Sequence, residues 1–201
     1  MTTGKVDDTF DSSELEGWVR RLQIQRVTSD QPGGSPLHRF VRGLMFSSKL
    51  VDYAEDHLPD GFRADWGQVM DDDGTLLSPE SDVIIYTGKA RHRFKSRRTM
   101  DYAIIPASQA RLLIQCRAVL SSVTKELREY LERSRRFCPR IWLFVECCWA
   151  KDDKQRAHLA KQVRKAGFEK FFYLYRCIPP QQPVVDLHGW QRFIKLVRSF
   201  E

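Results

Sequence analysis

The sequence predicts an α/β fold, a single domain in which a mixed β-sheet is flanked by helices. In the second half of the chain, short apolar runs typical of strands alternate with amphipathic helical stretches, which favours parallel pairing. In the first half, Asp73 and Gly74 lie between two β-prone runs, which predicts a hairpin and an antiparallel part of the sheet. The 201 residues are enough to bury such a core without disulfides or a structural metal.

The N-terminal segment is predicted to be a polar tail with one short helix. Ser13 and Glu16 have the spacing of a capping box, and apolar residues at helical spacing follow, so we expect an amphipathic helix over 13–27. The stretch after it is rich in Gly, Ser and Pro, a composition typical of a linker. We therefore divide the chain into an N-terminal segment, 1–35, and a main domain, 36–201.

The main domain is predicted to begin with a long helix, because Pro36 occupies a favourable first helical position. Apolar or β-prone runs follow, and we expect those of the first half to form an antiparallel meander; they lie at 62–70, 75–77, 81–86, 102–106 and 110–120. The second half then alternates, with a helix capped by Ser122, a buried strand in 141–150, a helix from Asp152 to Gly167, a strand at 171–175 and a last helix after Pro183.

The charge of the chain is distributed unevenly. The formal net charge is +7, but residues 1–88 hold 8 basic and 16 acidic side chains, whereas residues 89–201 hold 25 basic and 10 acidic ones. A half with a charge of +15 favours binding to a polyanion, or to the acidic half of a second copy. Mutual neutralisation of the two halves inside one fold is an equally good interpretation.

Two strand ends carry residues that a buried strand does not need for packing. Asp82 opens one apolar strand, and Gln115 and Arg117 lie within another. Residues 115 and 117 of a strand point to the same face, while Cys116 points to the opposite one. Phosphodiester hydrolysis with a metal requires hard oxygen ligands for Mg²⁺ and a cation near the developing charge. An acid and a polar-x-cation pair on neighbouring strands supply those groups.

This pattern resembles the restriction-endonuclease-like, or PD-(D/E)XK, superfamily over roughly residues 36–176. The strand 113–117 and the helix start after it are similar to those of Mrr-type restriction nucleases and related bacterial domains, which use Gln-x-Lys or Glu-x-Lys there. The resemblance implies the following roles: Asp82 as the metal-binding acid, Gln115 as a second metal ligand through its carbonyl oxygen, Arg117 in the place of the catalytic lysine, and Glu55 as a further carboxylate.

The departures from the family pattern predict a degenerate centre. Arginine stays protonated and does not act as a lysine with a lowered pKa does. Glutamine carries no charge, so the centre offers Mg²⁺ one certain carboxylate, that of Asp82. Further carboxylates that would restore charge are Asp72, Asp73, Glu80 and Glu55, which the sequence alone does not place. Mg²⁺ is therefore expected as a cofactor only if the centre is active.

A basic tract follows the Asp82 strand and is the second candidate site. In an extended ribbon its alternate cations share one face and follow the phosphates of a nucleic-acid backbone without sequence preference. A flexible solvated loop is the competing interpretation. The tract comprises Lys89, Arg91, Arg93, Lys95, Arg97 and Arg98, and a second cluster of Arg133, Arg135, Arg136 and Arg140 would extend it.

The composition predicts a cytoplasmic protein. Five cysteines without a Cys-x-x-Cys pair, several of them inside apolar strands, favour buried thiols in a reducing compartment. The chain has no apolar run of the roughly 18 residues that a membrane span needs. Its first residues lack the apolar centre of a secretion signal, so we do not expect secretion.

Three functions agree with these observations. The first is a nucleic-acid-binding restriction-endonuclease-like domain with an inactive metal site, a subunit of a bacterial antiviral or DNA-processing system that binds DNA. The second is an active Mg²⁺-dependent DNA endonuclease. The third is a non-catalytic interaction subunit whose basic face docks on an acidic partner. A homodimer or a protein encoded in the same operon is the expected protein partner.

Overall fold

Five helices and eight strands make up the part of the chain that the computed structural model describes, residues 12–29, 36–94, 102–176 and 184–201. The helices are α1 (Ser12–Ser29), α2 (Pro36–Glu55), α3 (Lys125–Ser134), α4 (Asp153–Ala166) and α5 (Leu187–Arg198). The strands are β1 (Phe62–Met70), β2 (Ser81–Thr87), β3 (His92–Phe94), β4 (Tyr102–Pro106), β5 (Ala110–Leu120), β6 (Ile141–Cys148), β7 (Lys170–Arg176) and β8 (Val184–Val185).

All eight strands belong to one mixed sheet, in the order β3-β4-β1-β2-β5-β6-β7-β8. The neighbours β1, β2 and β5 are antiparallel, whereas β5, β6 and β7 run parallel. The predicted α/β class, with an antiparallel part and a parallel part, is confirmed. The expected meander is interrupted in the chain by β3 and β4, because β4 pairs in parallel with the far side of β1.

The predicted Asp-Gly turn forms, but the strand expected after it does not. The Asp71 carboxylate accepts hydrogen bonds from the backbone N–H groups of Thr75, at 2.7 Å, and Leu76, at 3.0 Å. These bonds lower the pKa of Asp71 and close a compact loop. Leu77 makes only an isolated bridge to Met70, and the antiparallel partner of β1 is β2. The hairpin therefore contains a longer connection than the sequence suggested.

One face of the sheet is covered by α1, α2 and α5, which meet in an aromatic cluster. Trp18 of α1 stacks on Phe46 of α2 with ring centroids 5.8 Å apart, and its ring edge meets Trp190 of α5 at 5.7 Å. Phe144 of β6 contacts Phe193 of α5 at 5.0 Å. The predicted amphipathic helix thus forms, and its apolar stripe is buried in the main core.

The other face is covered by α3 and α4. The N-cap of α3 is Thr124, whose hydroxyl accepts from the Leu127 N–H, so the prediction that Ser122 caps this helix was wrong. The helix α4 has the predicted ends: Asp152 caps its first turn, and Gly167 closes it at a φ of 113°. Every residue of β6 is buried, as expected for a central strand covered on both faces.

An irregularity in β1 sets the geometry next to the candidate site. The register of β1 against β2 shifts between Asp65 and Gly67, and Gly67 then pairs with Ser81 at the start of β2. Gly67 has a φ of 155°, and a Cβ added there would lie 1.9 Å from the Ala103 carbonyl oxygen. Glycine is therefore required at this position for β4 to approach β1.

Among the helices described by the structure, none combines the length and the apolar character needed to cross a membrane.

Candidate functional site

The candidate centre lies where β2 begins beside the middle of β5. The antiparallel register pairs Val83 with Ile114, which places Asp82 and Gln115 next to each other across the two strands. The structure thus brings together the acid and the amide that the sequence singled out, from positions 33 residues apart. Gln115 is buried, and Asp82 is partly buried.

Two donors converge on one oxygen of the Asp82 carboxyl group. The Gln115 side-chain amide donates to Asp82 Oδ2 through Nε2. The backbone N–H of Cys116 donates to the same oxygen at 2.7 Å. Hydrogen bonds of this kind favour the ionised carboxylate, because its oxygens are acceptors only. The amide of Gln115 therefore faces Asp82 with its donor rather than with its carbonyl oxygen.

Burial nevertheless dominates the ionisation of Asp82 and raises its pKa to about 6. The Cys116 N–H, the charge of Arg117 and the Gln115 amide lower the pKa of Asp82, whereas the nearby charge of Glu80 raises it. Arg117 also donates through Nη1 to the Cys116 carbonyl oxygen at 3.1 Å, which holds its guanidinium beside the same stretch of β5. The centre therefore consists of a carboxyl with a raised pKa, an amide donor and a permanent cation.

A buried pair of hydroxyl groups fixes the start of β2. Ser81 Oγ and the Tyr130 hydroxyl lie 2.7 Å apart, which ties β2 to α3. Burial raises the pKa of Tyr130, so this phenol stays neutral at physiological pH. Because Ser81 directly precedes Asp82, the pair restrains the backbone that positions the carboxyl group. Nothing in the sequence indicated this contact, since the two residues are 49 positions apart.

Glu80 is the carboxylate that the structure places near Asp82. It accepts a hydrogen bond from Trp66 Nε1 at 3.0 Å, and it is exposed. The indole of Trp66 packs edge-on against Tyr102, with ring centroids 5.0 Å apart. Of the four carboxylates that the sequence left open, Glu80 is the one whose charge affects the pKa of Asp82.

Glu55 lies apart from Asp82. Its Oε2 accepts from the Ala64 N–H at 2.5 Å, and its Oε1 pairs with Arg63 at 3.5 Å. Ala64 pairs with Ile85, which is three residues, or roughly 10 Å, along β2 from Asp82. The carboxylate of Glu55 therefore holds the end of α2 on the start of β1, and the structure does not bring it to the Asp82 centre.

The structure describes the basic tract only in part. Lys89 is exposed, and Arg91 lies over the acidic turn, because a Cβ added to Gly74 would be 2.8 Å from its Nη1. Arg93 lies in β3, where only its backbone is described, paired with Ala103. The other predicted contacts, Lys95, Arg97 and Arg98, lie outside the described residues.

The second basic cluster is partly engaged within the fold. Arg135 donates to the Gly167 carbonyl oxygen at 2.8 Å, and Arg140 pairs with Glu169 at 3.3 Å. Arg133 and Arg136 are exposed on or near the end of α3. About half of this cluster is therefore available to an anionic ligand.

The residues of the centre do not fit a Mg²⁺ site. Mg²⁺ prefers octahedral oxygen coordination that includes carboxylates. Here the Gln115 amide donates to Asp82, Arg117 adds a permanent positive charge, and the Glu80 carboxylate is bound to Trp66. Within the described ranges, no three His, Cys, Asp or Glu side chains are grouped as metal ligands.

The strand order and the flanking helices define a restriction-endonuclease-like α/β domain. Two solved structures of NucC have this fold and are similar to the chain along most of its length. The cAAA-bound form of NucC from P. aeruginosa ATCC27853 has a TM-score of 0.56 at 16% identity, and the match covers 92% of this chain and 86% of that one. The cAAA-bound form from E. coli MS115-1 has a TM-score of 0.53 at 14% identity, covering 96% and 92%. No protein-family model and no curated protein matches the sequence.

Proposed function

We propose that this chain is a DNA-binding domain of the restriction-endonuclease-like class with a degenerate metal centre, and that it acts in bacterial antiviral defence or DNA processing. The observation that carries the proposal is the donor set around Asp82. The carboxyl of Asp82 accepts from Gln115 and from the Cys116 N–H. The family resemblance gives Arg117 the place of the catalytic lysine, and the charge of Arg117 acts on Asp82. The biological setting is supported by the family resemblance alone.

The charge distribution supports DNA as the partner. Residues 89–201 carry an excess of 15 positive charges over the acidic ones, and several exposed arginines lie near the end of α3. Such an excess attracts phosphate groups without sequence preference and gives an affinity that falls steeply with salt.

We expect duplex DNA to bind without divalent metal and with strong salt dependence. Arg93→Glu with Lys95→Glu should weaken binding and make the slope of log K against log salt shallower by about 2, because each lost phosphate contact lowers it by about 1. Fluorescence anisotropy in EDTA measures both quantities. Lys170→Glu with Lys195→Glu is the matched control, since both side chains are exposed and the change in charge is the same.

The possible results of this experiment distinguish between the candidate functions. An equal loss in both double variants contradicts the role of the basic tract. No binding to any DNA by the wild type contradicts the proposal and favours the interaction subunit. Because the similar NucC structures contain cAAA, the titrations should be run with and without that ligand.

A second prediction concerns the effect of Mg²⁺ on thermal stability. We expect Mg²⁺ to leave the melting temperature of the wild type unchanged and to raise that of Gln115→Glu. The substitution places a second carboxylate against Asp82, which destabilises the fold through like-charge repulsion, and a divalent cation that binds both oxygens relieves it. Thermal melts with Mg²⁺ or with EDTA measure the effect, and Gln109→Glu is the control for a glutamine in the loop before β5.

A second candidate, an active nuclease, is favoured by one observation, the influence of the Glu80 charge on Asp82. If the chain is an active nuclease, Mg²⁺ should stabilise the wild-type protein, and the wild-type protein should cleave DNA when Mg²⁺ is present. Both effects would then have to disappear in Glu80→Gln and in Asp82→Asn. That outcome would show that the centre is active rather than degenerate, and it would not contradict DNA binding.

A further inference from the structure

An open groove lies at the ends of β5 and β6, away from the Asp82 centre. Its volume is about 540 Å³, which is within the usual range for small organic ligands. Ser121 and Ser122 follow β5 directly, and Trp149 follows β6. Because β5 and β6 are parallel neighbours, these residues lie side by side and form one wall of the groove. The face of α4 between Lys154 and Gln162 forms the other wall.

Trp149 gives the groove an aromatic surface. Its backbone N–H donates to the Leu120 carbonyl oxygen at 3.0 Å, which anchors the residue to the end of β5. The side chain remains exposed over 37% of its surface, while Trp18, Trp142 and Trp190 are buried. An exposed indole in a concave wall offers a flat π-face for a planar ring.

The charges around the groove oppose a phosphate as its occupant. Asp152 and Lys154, the two charged side chains of the lining, cancel each other. The first turn of α4 is already neutralised by Asp152, which caps Gln155, and by Asp153, which pairs with Arg176 at 2.7 Å. The groove therefore fits an uncharged part of a ligand better than an anionic one.

Polar side chains of α4 line the groove beside Trp149. The amide of Gln162 donates to His158 across 2.9 Å, and Gln155 accepts from the Lys151 N–H at 2.9 Å. Amide side chains present a donor and an acceptor side by side, the arrangement that reads the edges of bases. Leu159 closes the groove between them with a buried apolar side chain.

We infer that this groove holds one unstacked base of the bound DNA, stacked on Trp149 and bonded at its edge by α4. The groove begins six residues beyond Gln115 on the same strand, roughly 20 Å, which is about six nucleotides at the 3.4 Å spacing of one B-form strand. The inference rests on the proposed function, since it names how that function engages its substrate. The basic surfaces hold the phosphates, and the neutral groove holds the base.

The test uses the full-length protein and single-stranded oligothymidylate of about 15 nucleotides in EDTA, long enough to reach from Gln115 to the groove. Binding is followed by the anisotropy of the labelled DNA and by the quenching of tryptophan fluorescence. Trp149→Leu should weaken binding about tenfold, as expected for the loss of one base–aromatic stack, and should remove most of the quenching. Leu76→Ser is the control, since it changes another exposed apolar side chain, one that does not line the groove.

His158→Ala with Gln162→Ala provides a variant that should fold, because His158 is exposed, Gln162 is half-buried, and alanine favours the helix that carries both. We expect it to weaken binding several-fold while the tryptophan quenching remains. If Trp149→Leu and this double variant both bind within twofold of the wild type, the inference is wrong and the DNA-binding function stands. If wild-type protein binds neither single-stranded nor duplex DNA, the proposed function fails, and the inference fails with it.

Discussion

Asp82→Asn should stabilise the protein by about 2 kcal/mol near pH 8. The carboxyl of Asp82 is held in surroundings that raise its pKa to about 6 from an ordinary value of 3.8. A difference of that size corresponds to about 3 kcal/mol between the two protonation states. Asparagine removes the cost of ionisation and keeps an oxygen for the Cys116 and Gln115 donors. Because a neutral oxygen accepts more weakly than a carboxylate, part of the gain is lost.

The dependence on pH follows from the direction of the shift. Below pH 3.8 both states are protonated, and Asp82 has no effect on the pH dependence of stability. Between the two pKa values the folded state binds more protons than the unfolded state, so the free energy of unfolding falls as pH rises. Above about pH 6 the loss is complete. The advantage of Asp82→Asn over wild type should therefore appear between about pH 4 and 6 and stay constant above.

Urea unfolding across that pH range measures the difference between the two proteins. Asp71→Asn is a control of opposite sign. Hydrogen bonds from Leu76 and Thr75 lower the pKa of Asp71, so that carboxylate stabilises the fold at neutral pH and its replacement should destabilise. Equal stability of Asp82→Asn and wild type at every pH would contradict the raised pKa.

Gly67→Ala should destabilise the protein by at least about 3 kcal/mol, because it combines backbone strain with overlap in a packed sheet. The new methyl group would meet the Ala103 carbonyl oxygen at 1.9 Å and two further backbone atoms of Ala103 within 2.9 Å. Backbone atoms of a paired strand do not move aside as a flexible side chain does. The strand β4 would have to separate from β1, and Tyr102 would lose its bond to Gln68.

Gly61→Ala is the control that measures the cost of backbone strain without steric overlap. Gly61 has a φ of 88°, and nothing lies within 4 Å of a Cβ added there. Its substitution should cost only the left-handed backbone penalty, about 1–2 kcal/mol. Denaturant unfolding of both variants measures the difference, and similar losses would show that β4 does not hold β1 as closely as the structure indicates.

Local features of the fold were predictable from the sequence because local chemistry determines them. The strands Phe62–Met70 and Ala110–Leu120 have the expected bounds, and α4 ends at the expected glycine. The partner of β1 across its turn was not predictable. The side chain of Asp71 bonds to the chain beyond it and lengthens the connection, and the pairing of β4 with β1 joins segments that sequence periodicity does not relate.

The candidate centre was likewise predictable from the sequence only in part. Alternation along β5 correctly placed Gln115 toward Asp82, because the side-chain period of a strand is fixed. The position of Glu55 was not available from the sequence, since the direction of a side chain at a helix end depends on the strand it packs against. The contact between Ser81 and Tyr130 depends on the docking of α3, which no motif encodes. The catalytic and metal-binding roles implied by the family stay predictions.

The thiol of Cys116 is buried on the face of β5 opposite to Gln115 and Arg117, where it makes local opening of this strand measurable. Burial raises the pKa of Cys116 well above its ordinary value, and the charge of Asp82 adds to the effect. The thiolate is the form that reacts with disulfide reagents, so Cys116 is inert while β5 stays packed. The rate at which Cys116 is modified therefore reports how often β5 opens transiently. A DNA ligand that holds the centre closed would lower this rate.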